Sequence, residues 1–227
     1  LAACNDGFLD FPVNEQVQRG QSDSVEIIRL DALNISEFVL PARSNATSVL
    51  PSGNGWNYYV GAGDILSVIV FDHPELTLPA GPLRSAEESG FLVKSDGTFF
   101  YPFVGLIQAR GRTLAEIRAD LTARLAEFIS SPQLEVRVAA FNSQAIVVTG
   151  EINGPNRQAV TTVPLTLVAA INVAGGMTDD ADTRAVIVLR DGQRHVVDLE
   201  GYFVAGITNN NPRLRDGDVV HVPRRRA

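Results

Sequence analysis

The chain has 227 residues, 45% of them hydrophobic, enough to pack one large domain or two small ones. With 26 acidic against 19 basic residues and a net charge of −7, it is poorly suited to nucleic acid as a main partner. No stretch approaches the roughly 20 consecutive apolar residues of a membrane helix, and the single cysteine excludes an intrachain disulfide or a multi-thiolate metal site.

The chain opens Leu1-Ala2-Ala3-Cys4, small residues before a cysteine. From Asn5 to about Gly55 the pattern is mixed. Val25, Ile28, Leu30, Leu33 and Ile35 are too irregular to fix an element, and Pro51 with Gly53-Asn54-Gly55 reads as a linker. Order begins at Tyr58. Gly61-Ala62-Gly63-Asp64 makes a tight turn, and Ile65 to Phe71, rich in β-branched side chains, predicts a buried strand. Asp72-His73-Pro74 stops it, because proline cannot donate to a sheet ladder.

Glu75 to Gly90 is a long loop. Phe91-Leu92-Val93 and Thr98 to Val104 read as strands of a hairpin around Ser95-Asp96-Gly97. Phe99, Phe100, Tyr101 and Phe103 form an aromatic cluster, either core or, where exposed, a platform for stacking sugars. Thr113 to Ile129 predicts a helix. Thr113 and Glu116 fit a capping box, and Leu114, Ile117, Leu121, Leu125 and Phe128 form one apolar stripe. Asp120 and Arg124 sit four apart on the wet face, and Ser130-Ser131-Pro132 ends the helix. Leu134, Val136 and Val138 alternate with polar residues as a half-buried strand. The first unit is therefore α+β, a small sheet with one packed helix.

Phe141 to Gln144 reads as a junction. Ala145 to Thr149 is a strand, and Thr162-Val163-Pro164 predicts a helix start, with Leu167, Val168, Ile171 and Ala174 buried and Gly175-Gly176 as the stop. Val186 to Leu189 and His195 to Leu199 flank Asp191-Gly192 as a hairpin. Arg215-Asp216-Gly217-Asp218 turns into a last strand, Val219 to Val222. Strand, helix, hairpin and final strand make a β-grasp-like unit. The two Gly-Asp turns are shared turn chemistry.

The candidate chemistry is thin. Asp72, His73 and Glu75 could form an acid–base or metal cluster. His195 and His221 lie on other strands, and Glu87-Glu88 and Asp179-Asp180 are polar-loop carboxylates without the fixed separation a glycosidase pair needs. There is no G-x-S-x-G, no P-loop and no dinucleotide fingerprint. No enzyme and no cofactor are expected. Arg224-Arg225-Arg226 could meet anionic headgroups or simply solvate the end.

The segments YVGAGDILSVIVFDHPELTLPAG and SDGTFFYPFVGLIQARGRTLAEI resemble the polysaccharide export domain of Wza-type outer-membrane polysaccharide export proteins. VTGEINGPNRQAVTTVPLTLVAAINVAGGMTDDAD resembles the SLBB domain that follows it there. The resemblance implies an N-terminal arm and linker over residues 1–55, a polysaccharide export domain over 56–142 and an SLBB domain over 143–227. It implies a ring oligomer, octameric in the best-known member, conducting capsular polysaccharide or exopolysaccharide out of a Gram-negative periplasm. It also implies lipidation at Cys4, whose LAAC context resembles a lipobox, an outer-membrane location, and an inner-membrane copolymerase, often a tyrosine autokinase, as partner. Wza-type members continue into a further SLBB domain and a pore-forming helix, so no pore segment is carried over. The rival expectation is a monomeric periplasmic glycan-binding module using the aromatic cluster near Tyr101.

Overall fold

The computed structural model describes Asn34, Leu50, residues 55–73, Leu76 and residues 90–225. Cys4, all of the Ser22–Phe38 stretch but Asn34, and most of the Glu75–Gly90 loop lie outside these residues. Residues 1–44 and 45–227 cluster as separate compact units, and the second is described below. It carries two hydrophobic cores, one per domain.

In the first domain, β1 (Ile65–Val70) lies between β2 (Phe91–Leu92) and β5 (Leu134–Ala140), antiparallel to both. Leu66, Val68 and Val70 point inward by the two-residue period of a strand and are buried. The strand ends one residue earlier than expected, where Asp72 takes a φ of 62°. The run Thr98 to Val104 is not one strand. It is β3 (Thr98–Tyr101) and the reversal after it, which leads into its hairpin partner β4 (Gly105–Gln108). Pro102 cannot extend a ladder, so the chain reverses there. The Asp96-Gly97 turn does form, but it joins two sheets: β2 pairs with β1 and β3 with β4.

Helix α1 (Leu114–Leu125) has the expected capping box. The Glu116 N–H donates to Thr113 Oγ1 at 3.3 Å and the Thr113 N–H to Glu116 Oε2 at 2.7 Å. Ile117, Leu121 and Leu125 are fully buried, each such side chain contributing about 1.5–3 kcal/mol. Asp120 accepts from Arg112 at 2.9 Å and Arg124 at 2.8 Å on the wet side. The helix stops at Leu125, so Phe128 leaves the stripe and stands 57% exposed.

The cap gives a first prediction. The Thr113 backbone N–H holds the Glu116 carboxyl below its ordinary value. A lowered folded-state pKa means the contribution is present above the unfolded value of about 4.3 and fades as pH falls from there through the folded value. Thr113→Ala should cost about 1 kcal/mol at neutral pH in a urea titration. That variant keeps the Thr113 backbone N–H, so the pH-dependent part is read from Glu116→Gln: its deficit should be present at neutral pH and shrink below about pH 4, and a deficit that stays constant to about pH 3 contradicts this.

The second domain is a five-stranded sheet, order β7-β6-β10-β8-β9. These are β6 (Ala145–Gly150), β7 (Asn156–Ala159), β8 (Val186–Arg190), β9 (Gln193–Val197) and β10 (Val219–Val222). Central β6 and β10 run parallel; the other pairs are antiparallel. The Asp191-Gly192 hairpin appears as expected, both residues at positive φ. Helix α2 (Leu167–Val173) begins later than expected: Thr166 is the cap, its side chain accepting from the Ala169 N–H, and Pro164 lies in the preceding loop. Leu167, Ala170, Ile171 and Ala174 are buried, and Gly175 and Gly176 end the helix at positive φ. Strand β7, helix α3 (Leu199–Ala205) and the 3-10 turn Thr208–Asn210 were not legible in the sequence pattern.

Candidate functional site

The sequence candidates for catalysis do not converge. Asp72 is exposed at the end of β1 beside His73, and Glu75 lies outside the described residues, as do Glu87 and Glu88. His195 stands opposite buried Val188 and His221 opposite Ile187, so the alternation of side chains puts the two on opposite faces of the sheet. Asp180 accepts from Arg224 at 2.7 Å, and the Asp179 carbonyl accepts from Arg225. The basic end is thus pinned to the Asp179-Asp180 loop, which explains both motifs structurally; Arg226 lies outside the described residues. Among the described residues no three His, Cys, Asp or Glu side chains come close enough to hold a metal ion. No described helix is long and apolar enough to cross a membrane.

What the turn residues do build is a rigid junction. Asp64 is fully buried at the end of the Gly61–Gly63 turn. Its Oδ2 accepts from the Tyr58 hydroxyl at 2.7 Å, the Gly61 N–H at 2.9 Å and the Ser143 hydroxyl at 2.8 Å. Its Oδ1 accepts from the Asn142 N–H at 3.0 Å and the Ser143 N–H at 2.9 Å. One carboxylate therefore ties the entrance of the first domain to the segment leaving it. Gly61 is required by close approach: a Cβ there would lie 2.4 Å from Ser143 Cβ. The Phe141 ring meets Tyr58 edge-on at 5.1 Å, and Gln144 Nε2 donates to the Tyr59 carbonyl. Burial, with the Asp64 charge beside it, pushes the Tyr58 phenol well above its ordinary value, so it stays a neutral donor. The linker between domains is thus held at three successive residues.

The second Gly-Asp turn repeats the device. Asp218, buried, accepts from Arg190 Nε at 2.9 Å, Arg190 Nη2 at 2.6 Å and the Arg215 N–H at 2.7 Å. Asp216 accepts from the Ala145 N–H at 2.8 Å, anchoring the start of β6.

The aromatic cluster divides by strand alternation. Phe99 and Tyr101 are core, with no exposed surface, so Tyr101 cannot stack a sugar. Phe100 and Phe103 are 58% and 67% exposed, Leu106 stands beside Phe100 across the hairpin, and the Phe103 ring lies 6.2 Å from that of Phe128. Phe103 is the centre of a γ-turn, with φ 65° and its neighbour Val104 N–H donating to the Pro102 carbonyl at 2.8 Å. A bulky residue there is strained. Phe103→Gly should therefore raise stability by about 1 kcal/mol in chemical denaturation. A loss instead would mean that the Phe128 contact outweighs the strain. At the junction, an open cleft of about 400 Å3 is lined by Trp56, Asn57, Tyr59, Gln144, Arg215 and Asp216.

Together these features define a two-domain scaffold, tied at the junction through Asp64, with no converged reactive groups among the described residues. Residues 52–139 match the polysaccharide biosynthesis/export protein family, and residues 144–222 match the SLBB domain. The chain therefore carries a domain of the polysaccharide export family followed by an SLBB domain. It is 36% identical over 178 residues to the EPS I polysaccharide export outer membrane protein EpsA of Ralstonia solanacearum, covering 73% of this chain and 47% of that protein. It is 27% identical over 208 residues to the capsule polysaccharide export protein BexD of Haemophilus influenzae, covering 86% and 52%. It is 26% identical over 221 residues to the capsule polysaccharide export outer membrane protein CtrA of Neisseria meningitidis, covering 90% and 55%. The chain spans about half the length of these curated relatives.

Proposed function

We propose that this chain is a structural component of an outer-membrane export channel for exopolysaccharide or capsular polysaccharide, and not an enzyme. The observation that carries the reading is the ordered pair of domain matches, with relatives named as outer-membrane export proteins. The chain acts as a ring oligomer around an aqueous lumen. A hydroxyl-rich polymer crosses cheaply if its hydration is never stripped, so the wall must be polar and rigid. A two-domain block locked through Asp64 suits a wall that keeps its shape under a moving polymer. Acylated Cys4 anchors it to the outer membrane, several chains on one cysteine supplying what a single chain cannot. An inner-membrane copolymerase of the tyrosine autokinase class supplies polymer and energy. The exposed Phe100, Phe103, Leu106 and Phe128 face is an apolar contact surface available to partners.

Deletion of the gene should abolish surface polymer, detected by lectin or antibody labelling of intact cells, and complementation should restore it. Undiminished surface polymer in the deletion strain contradicts the proposal. A second reading, a monomeric periplasmic glycan-binding module, draws on the Trp56–Tyr59 cleft rather than on Tyr101. Micromolar binding of soluble oligosaccharide to a monomer, measured by calorimetry, would favour it.

A further inference from the structure

Among the described residues, no strand pairs with the outer edge of β7 or of β9 in the sheet of the second domain. In β6 and β7 the Val160 N–H donates to the Gln144 carbonyl, so by antiparallel alternation the N–H and C=O groups of Arg157 and Ala159 point away from β6. In β9 the two-residue hairpin pairs Gln193 with Arg190, so the groups of Arg194 and Val196 point away from β8. Each edge therefore offers two residues with outward donors and acceptors. The strand order makes β9 run with β6 and β10, and β7 against them, so the two edges are antiparallel to each other.

Both edges also carry unfinished chemistry. An open groove of about 450 Å3 runs along β7, walled by Pro164, Leu165, Ala169 and Val173. Val163 and Val173 beside it are 68% and 64% exposed. At the other edge, α3 follows β9 directly and exposes Phe203 and Val204 at 59% and 69%. Gln158 of β7 is buried; its Nε2 donates to Asn156 and to the Ala170 carbonyl, and its Oε1 has no donor among the described residues.

We propose that β9 of one copy adds to β7 of the next, with Arg194 opposite Ala159, His195 opposite Gln158 and Val196 opposite Arg157. This rests on the ring reading and names its interface. Only this register pairs both outward residues of each strand. A shift of two residues one way would set Arg157 against Arg194, and a shift the other way would leave Arg157 unpaired. It places His195, on the same face of the sheet as Val188, beside Gln158 on that face, as a cross-strand neighbour. It brings the Phe203–Val204 face toward the Val163–Val173 face. The contact is head-to-tail, the kind that closes a ring when the rotation from copy to copy divides a full turn.

The test uses a Cys4→Ser background. Ala159→Cys with Arg194→Cys on one chain should give, on oxidation, a ladder of multiples of the 24.4 kDa chain. Each single variant should give none. The two positions sit at opposite edges of five strands, roughly 19 Å apart at about 4.8 Å per strand, too far for a bridge within one chain. Ala159→Pro, which removes an outward N–H, and Val173→Asp, on an exposed helix end, should each reduce the assembly to monomer by light scattering with the melting transition unchanged. An assembly that survives both variants, with no ladder from the double cysteine, overturns this interface and leaves the ring reading intact. Wild-type chain that is monomeric at every concentration overturns both.

Discussion

Asp64→Ala should lose about 3 to 5 kcal/mol of stability, the largest single-residue effect in the first domain. Five donors converge on this carboxylate, three of them backbone N–H groups that alanine leaves without a partner. Each stranded donor costs about 1–3 kcal/mol, offset where water reaches the Asn142 side of the junction. The loss should also uncouple the domains, splitting one urea transition into two. Asp64→Asn keeps the shape but turns an amide N–H toward donors and replaces charge-assisted bonds with neutral ones, so it should fall between wild type and alanine. A cost under 1 kcal/mol with a single transition would remove the rigid junction from the account.

Asp218→Ala should cost a comparable 3–5 kcal/mol in the second domain, because it strands the buried Arg190 guanidinium between β8 and β10. The informative comparison is the pair. Arg190→Met with Asp218→Leu removes both charges and should stay within about 2 kcal/mol of wild type, since desolvation offsets most of the attraction of a buried ion pair. If the double variant is as unstable as Asp218→Ala, the turn geometry held by the Arg215 N–H is what matters, and the ion pair is secondary.

These two carboxylates mark where sequence reading stopped. Gly61-Ala62-Gly63-Asp64 and Arg215-Asp216-Gly217-Asp218 were legible as turns because glycine and aspartate have local conformational signatures. What the aspartates accept from, 78 to 79 residues away for Asp64, has no local signature. Helix α1 was legible because its cap and stripe are local, but its last turn was not: Phe128 fits the spacing and still lies outside, beyond the point where the helix ends. The Thr98–Val104 run misled because hydrophobicity outweighed Pro102, the residue that should have broken it. Strand β7, reading Asn-Arg-Gln-Ala, carries almost no apolar signal, as an edge strand need not. Helix α3 starts at an Asp198 cap whose aspartate follows the β9 strand run without a break. Its Leu199 reads from the pattern as the end of that strand. The family resemblance did not depend on these details, because it rests on long ordered segments.

The most direct measurement is single-particle electron microscopy of the assembled protein from the envelope. The account predicts closed rings with a solvent-filled central opening, built from copies whose two domains keep a fixed mutual orientation. Isolated single copies, or closed particles with a filled centre, would contradict it.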